Sequence, residues 1–303
     1  MTSLQLRVEQ VVKALQHIGI HSNEVKVLAD GGNLIVYLSP YPIVARVITL
    51  FEGDDSQYWR DILAREIDVA RHLESVGAPV VKPIYDFDPG PHPTGDTWCT
   101  LWEYIPASDL PVLTGDEAFN LLKSLESSME TYPGSLPLLG AWNPVCDAMT
   151  RLSTIEHEQL RDLTMYWTEI DKRLRGLSAD KFVPAHGDAH LGNLIASPKG
   201  WLWIDFEDVS LMPRFWDLAS AVARTPLLGE SKELSNELIR KYLGDTPSQA
   251  DNEAFNLALS ARVVASVAIN LSLALEGHSN SELAWRRLEN GLHILDKILS
   301  GWS

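Results

Sequence analysis

A chain of 303 residues, 45% of them hydrophobic, is long enough for one large domain or two unequal ones around a real buried core. A formal net charge of −16, with no lysine- or arginine-rich run to offset it, repels phosphate backbones and removes nucleic acid from the expected partners. Two cysteines, Cys99 and Cys146, are too few for a disulfide framework or a zinc cluster. In chain order, the opening MTSLQLRVEQ lacks the basic-then-apolar order of a secretory signal, so a cytoplasmic protein is expected. Leu4, Val8, Val11, Leu15 and Ile18 recur at helical spacing before Gly19 and predict an amphipathic first helix. VKVLA, NLIVYLS and PIVARVIT, separated by DGG and PYP, predict an antiparallel meander. A helix is expected from about Gln57 to Val76, then two strand-like runs, PVVKPIYDF and TWCTLWEYI, flanking the turn-rich DPGPHPTGD. After Pro106 the pattern is almost wholly helical, with helices expected over roughly 115–130, 145–175, 213–225, 229–243, 250–277 and 282–299. The most apolar of these carries residues 257–275, broken by Arg262 and Asn270, and reads as a buried core helix rather than a membrane span, so no membrane partner is expected. The expected architecture is α+β and bilobal: a small, mostly antiparallel β lobe over 1–103 and a larger, mainly helical lobe over 104–303.

Two charges fall where the apolar pattern predicts burial. Alternation along PIVARVIT sends Arg46 to the face of Val44 and Ile48, and in the following helix Glu66 shares a face with Ile62, Leu63, Ala70 and Leu73. A buried charge is expensive unless matched, so Arg46 and Glu66 are expected to pair, and reversing both charges to restore what either single reversal destroys.

The polar groups concentrate in PAHGDAHLGNLIASPKGWLWIDFED, residues 184–208. It supplies a carboxylate at Asp188, an amide oxygen at Asn193 and a second carboxylate at Asp205, which closes a short apolar strand. Hard oxygen donors of the Asn and Asp type suit magnesium, and a free Asp188 can accept a hydroxyl proton. That division of labour is what phosphoryl transfer requires. By contrast, IEHEQ lacks the spacing of a helical zinc site and reads as a solvated face, and Trp201 and Trp203 read as part of a strand buried on both faces.

HGDAHLGN at 186–193 and IDFE at 204–207 resemble the catalytic loop and the metal-binding segment of the aminoglycoside phosphotransferase and choline kinase family, the small-molecule branch of the protein-kinase-like fold. The N-terminal strands, Arg46, Glu66, LWEYIP and FWDLA follow the family's order, and the twelve positions from Asn193 to Asp205 leave room for its short hairpin. The resemblance implies that Asp188 is the catalytic base, that Asn193 and Asp205 ligate magnesium, and that Arg46 is a phosphate contact held by Glu66. It gives the adenine to the backbone of Glu103 to Ile105, and a bracing role to His186 and Asp217. His190 either braces the loop or approaches the transferred phosphate. One departure is the glycine-rich loop, reduced to ADGGNLIVYL: its Gly-Gly reads by itself as an ordinary hairpin turn, while the resemblance makes Gly31, Gly32 and Asn33 candidate phosphate neighbours; guanine in place of adenine is compatible with this.

The expected activity is transfer of the γ-phosphate of ATP or GTP, with Mg2+, to a hydroxyl of a small molecule. Within the family the acceptor is an aminoglycoside, choline or ethanolamine, homoserine, a sugar or a macrolide; acidic residues such as Glu207 and Asp208 would suit a cationic one. The closing ILSGWS lacks the acidic tail with which some aminoglycoside-modifying relatives hold amino groups. The alternative is a catalytically silent, kinase-like nucleotide-binding or regulatory protein.

Overall fold

A computed structural model describes residues 3–49, 56–228 and 232–300. The start of the helix expected at 229–243 and the last three residues of ILSGWS lie outside the described residues. Packing groups the chain into two units, Met1–Pro111 with Leu194–Glu207, and Val112–Asn193 with Asp208–Ser303. The segment Leu194–Glu207, expected in the second lobe, groups with the first unit. The α+β class stands, with a small antiparallel sheet in one unit and mainly helix in the other.

In the first unit, helix α1 (Ser3–Gln16) precedes three strands, β1 (Glu24–Asp30), β2 (Asn33–Ser39) and β3 (Ile43–Ile48), followed by helix α2 (Ser56–Ser75) and strands β4 (His92–Thr94) and β5 (Thr97–Glu103). The strands form one antiparallel sheet in the order β1-β2-β3-β5-β4. Period-two alternation gives its two faces different jobs. Leu34, Val36, Leu38, Ala45, Val47, Cys99 and Leu101 are buried in one core with Val11 and Leu15 of α1. Register pairs Arg46 with Ile35 and Thr100, so those side chains share the opposite face. Beyond strand β6 (Phe182–Ala185) of the second unit, the hairpin of β7 (Leu194–Ser197) and β8 (Gly200–Trp203) belongs to this unit. Trp203 N–H donates to the Pro79 carbonyl at 2.8 Å, and Val81 N–H to the Trp203 carbonyl at 3.0 Å.

PVVKPIYDF is not a strand. It makes only isolated bridges, at Val80 and Pro83, because Pro79 and Pro83 have no N–H to give to a ladder. Trp201 and Leu202 are only half-buried, so β8 is not enclosed on both faces.

The second unit holds helices α3 (Gly115–Met129), α4 (Asn143–Leu152) and α5 (Glu158–Arg175), strand β6 (Phe182–Ala185), strand β9 (Ser210–Pro213), and helices α6 (Trp216–Leu228), α7 (Lys232–Leu243), α8 (Gln249–Leu275) and α9 (Ser281–Leu299). A capping box at Thr114 and Glu117 starts α3, and the Ser248 and Asn280 side chains cap α8 and α9. The helix expected over 145–175 is two. Ser153 and Thr154 hydroxyls donate back to the Thr150 and Arg151 carbonyls, and His157 is extended, so the backbone turns before α5. Helix α8 is long and apolar enough to cross a membrane by composition, yet much of it is buried against α4, α5, α6 and α9, and its buried residues enter the unit's main core.

Candidate active site

The first unit contains a cavity of about 920 Å³, a nucleotide-sized volume. Gly31, Gly32, Asn33, Arg46, Glu66, Glu103, Ile105 and Asp205 all line it, together with apolar walls such as Ile35, Val44 and Trp102. Arg46 is its electrostatic centre and is buried. Its Nη1 donates to Glu66 Oε2 at 2.6 Å; its Nη2 donates to Asp205 Oδ1 at 2.7 Å and also contacts Glu207. With the amide of Asn33 oriented by its hydrogen bonds, Asn33 Oδ1 accepts from Arg46 Nη2 at 2.9 Å. Burial works against the guanidinium charge, but Glu66, Glu207 and Asp205 overcome it and hold Arg46 well above the ordinary arginine range. Burial pushes Glu66 upward, while Arg46 and the Phe206 N–H, at 3.2 Å from Oε1, oppose that rise and favour its ionised form. The expected pair therefore exists inside a larger cluster. Glu207, expected to be open to a cationic acceptor, is committed to Arg46.

At the end of β5 the backbone is partly used. Glu103 N–H donates to the Lys82 carbonyl and Tyr104 N–H to the Pro42 carbonyl, at 2.9 and 2.8 Å, which leaves Ile105 N–H as the uncommitted backbone donor of the three among the described residues. Gly31 and Gly32 border open space and neither has a positive φ, so the backbone does not demand glycine there. Their carbonyls lie 2.9 and 2.8 Å from Thr49 Oγ1. Asp205 adopts φ 72°, an uncommon backbone for a residue with a Cβ and one that clusters at functional sites.

The second unit builds the loop around Asp188 from buried polar scaffolding. β6 pairs antiparallel with β9, Ala185 opposite Ser210. Asp217, at the start of α6, accepts the N–H groups of His186 at 2.9 Å and Gly187 at 3.1 Å. Burial pushes Asp217 up to about 6, with His186 and those donors resisting. Trp216 Nε1 donates to the Gly187 carbonyl at 2.7 Å, and Asp188 N–H to His186 Nδ1 at 3.3 Å. The bracing role implied for His186 and Asp217 agrees with these bonds. His190 N–H and Asn193 Nδ2 both donate to the Asp188 carbonyl, at 2.7 and 3.0 Å. Gly187, at φ 90°, is required: a Cβ there would overlap the Asp208 carbonyl.

Asp188 itself is paired with Arg262 of α8, whose Nη1 also donates to the Gly187 carbonyl at 3.2 Å. His190 Nε2 lies 3.4 Å from the second carboxylate oxygen. Burial would raise the Asp188 pKa, but Arg262, His190 and His186 outweigh it and hold the group below the usual carboxylate range. Sequence reasoning missed Arg262, seeing only a break in an apolar run; a cation amid buried positions was its one signal. Asp188, Arg262, Arg224 and Arg287 line a separate cavity of about 300 Å³ within this unit.

Among the described residues no group of three or more His, Cys, Asp or Glu is arranged to hold a metal. Magnesium, the cation expected from the sequence, characteristically relies on few protein oxygens. The donors suit it chemically. Asn193 commits its Nδ2 and keeps Oδ1, while Asp205 commits Oδ1 to Arg46 and has no hydrogen bond at Oδ2 among the described residues.

The model of the family described as "Phosphotransferase enzyme family" matches residues 21–250. Among solved structures, the amicoumacin kinase hAmiN, determined with AMP-PNP, Ca2+ and Ami, is 16% identical with a TM-score of 0.71, covering 98% of this chain and 96% of that one. The choline kinase LicA from Streptococcus pneumoniae is 16% identical with a TM-score of 0.66, covering 98% and 100%. A microcompartment-associated aminopropanol kinase is 17% identical with a TM-score of 0.66, covering 97% and 98%. At these identities the likeness is one of fold.

Proposed function

The chain belongs to the phosphotransferase enzyme family, and from that premise we propose that it transfers the γ-phosphate of ATP or GTP to a hydroxyl of a small molecule, with Asp188 as the catalytic base. The observation that carries this reading is Asp188 itself: a half-buried carboxylate, held ionised by Arg262, His190 and His186, lining a cavity of ligand size. An ionised aspartate can accept and orient a hydroxyl proton. A low pKa limits its strength as a base, which suits a largely dissociative transfer in which the proton leaves late.

In the reaction the acceptor oxygen bonds to the γ-phosphorus as the bond from that phosphorus to the β,γ-bridging oxygen breaks. The electron pair leaves with the nucleoside diphosphate and the proton passes to Asp188. Arg46 would counter phosphate charge, Glu66 would fix its guanidinium, and Gly31, Gly32 and Asn33 would border the phosphates. The base of the nucleotide would meet the Glu103–Ile105 backbone, with the Ile105 N–H as donor. Asn193 and Asp205 are the residues we assign to magnesium, which when bound neutralises phosphate charge.

The silent alternative has one observation in its favour: Arg262 and His190 engage both carboxylate oxygens of Asp188. Replacing Asp188 with alanine separates the readings. Turnover is expected to fall by about 10²–10⁴-fold, while the thermal shift given by ATP or GTP with magnesium stays nearly unchanged. Undiminished turnover removes Asp188 from its role; absence of ADP production by the native chain across hydroxylated acceptors favours the silent reading.

A further inference from the structure

We propose that the acceptor carries an anionic group, a carboxylate or a phosphate, received by Arg287 with Arg224 beside it in the cavity that Asp188 lines. The inference rests on the reading of Asp188 as the group that meets the acceptor hydroxyl.

The whole-chain charge of −16 would suit a cation, but the local balance of this cavity is the reverse. Three guanidinium groups, Arg224, Arg262 and Arg287, line it against two carboxylates, Asp188 and Asp208. Arg262 is matched by Asp188. Arg287 has no carboxylate partner among the described residues, and its Nε is buried without a hydrogen bond. Burial and the neighbouring Arg224 both hold Arg287 below the ordinary arginine range, the signature of a cation lacking its counter-charge.

Position on the helix sharpens the point. Arg286, the adjacent residue of α9, is exposed and meets solvent as a long cationic side chain usually does, while Arg287 is half-buried against the cavity. A planar guanidinium offers two parallel N–H donors to a carboxylate or a phosphate, and an anion between two such groups relieves their mutual repulsion. Asn270, also on the wall, adds an amide that already donates to the Ser266 carbonyl at 2.8 Å. A volume of about 300 Å³ sits at the small end of ligand sites and favours a compact hydroxy acid or hydroxylated phosphate ester over a large glycoside.

The test uses matched probes on the full chain. Glycerate and glycerol 3-phosphate are compared with glyceramide and 3-amino-1,2-propanediol, and gluconate with glucose and glucosamine, by calorimetric binding and by ADP formation with ATP and magnesium. In at least one set the anion is expected to bind more tightly than its neutral and cationic counterparts. Arg287→Gln is expected to weaken that binding by about tenfold or more, and Arg287→Lys by less. The two three-carbon anions distinguish carboxylate from phosphate. Equal or better binding of the neutral or cationic probes, no binding by any anion, or an anion affinity untouched by Arg287→Gln in a folded variant overturns the inference. The ADP readout separates it from the kinase reading. Anions that bind through Arg287 but yield no ADP leave this inference standing and count against Asp188 as a base, whereas turnover confined to neutral or cationic probes does the opposite.

Discussion

Arg262 and Asp188, 74 residues apart in sequence, form an ion pair inside the second unit, and the same guanidinium reaches the Gly187 carbonyl that Trp216 Nε1 also holds. One arginine thereby fixes both the charge and the backbone of the loop. Because the folded Asp188 titrates below its unfolded value, the pair's contribution to stability is present above the ordinary carboxylate range and is lost as pH falls through the depressed value.

Arg262→Gln removes the largest opponent of burial at Asp188. An opposite charge at this range lowers a carboxyl by about 1–3 pH units, so the acid limb of kcat/KM is expected to move upward by about one unit or more. A pH–rate profile checks this. Lost activity with an unmoved acid limb would assign Arg262 a purely structural part.

Charge reversal at Arg46 and Glu66 has a different expected outcome from that of an isolated pair. Removing one partner of a buried pair costs about 3–5 kcal/mol, so Arg46→Glu and Glu66→Arg should each lower stability strongly. In the double reversal a glutamate at 46 would face Asp205 and Glu207, which now receive Arg46 Nη2. Recovery is therefore expected to be partial in thermal melts and absent in nucleotide binding. Full recovery of both would mean that Asp205 and Glu207 contribute nothing to holding position 46.

The Arg46–Glu66 contact was legible in the sequence because each charge breaks a short-range period, two residues in β3 and 3.6 in α2. Asp188, Asn193 and Asp205 were legible as a motif. Arg262 was not, since nothing in an apolar helix says which distant group its one cation will meet, and the same holds for Arg287 on α9. The strand expected over PVVKPIYDF failed on local chemistry that composition could have warned of, as its prolines lack ladder donors. The break between α4 and α5 hinged on hydroxyls turning back onto helix carbonyls, which competes with helix propensity without lowering hydrophobic periodicity.

In the proposed nucleotide complex, Glu207, which contacts Arg46, would compete with a phosphate for that guanidinium. The Glu207 side chain is 29% exposed while Arg46 is buried, so the contact is partly open to solvent and sensitive to salt. Glu207→Gln is expected to tighten nucleotide binding by about two- to fivefold, more at low salt than at high salt. Calorimetric titration at two ionic strengths reads this, and weaker binding in the variant would show that Glu207 orients Arg46 rather than competing for it.

Gly187 combines two constraints that no side chain meets: φ 90° and a Cβ position overlapping the Asp208 backbone carbonyl. The occluding atom belongs to backbone rather than to a mobile side chain, so it cannot swing aside, and the loop holding Asp188 must shift instead. Gly187→Ala is expected to cost about 1–3 kcal/mol from the dihedral alone, seen as a Tm lowered by several degrees, with turnover falling further than the folded fraction does. Gly31→Ala provides the contrast, since no atom lies within 4 Å of its added Cβ and its φ is not positive. That variant should melt as the native chain does and change nucleotide affinity only. Equal Tm for the Gly187→Ala and Gly31→Ala variants would mean that the loop around Asp188 yields without cost, and rigid support of the carboxylate by Asp217, Trp216 and Arg262 would lose its physical basis.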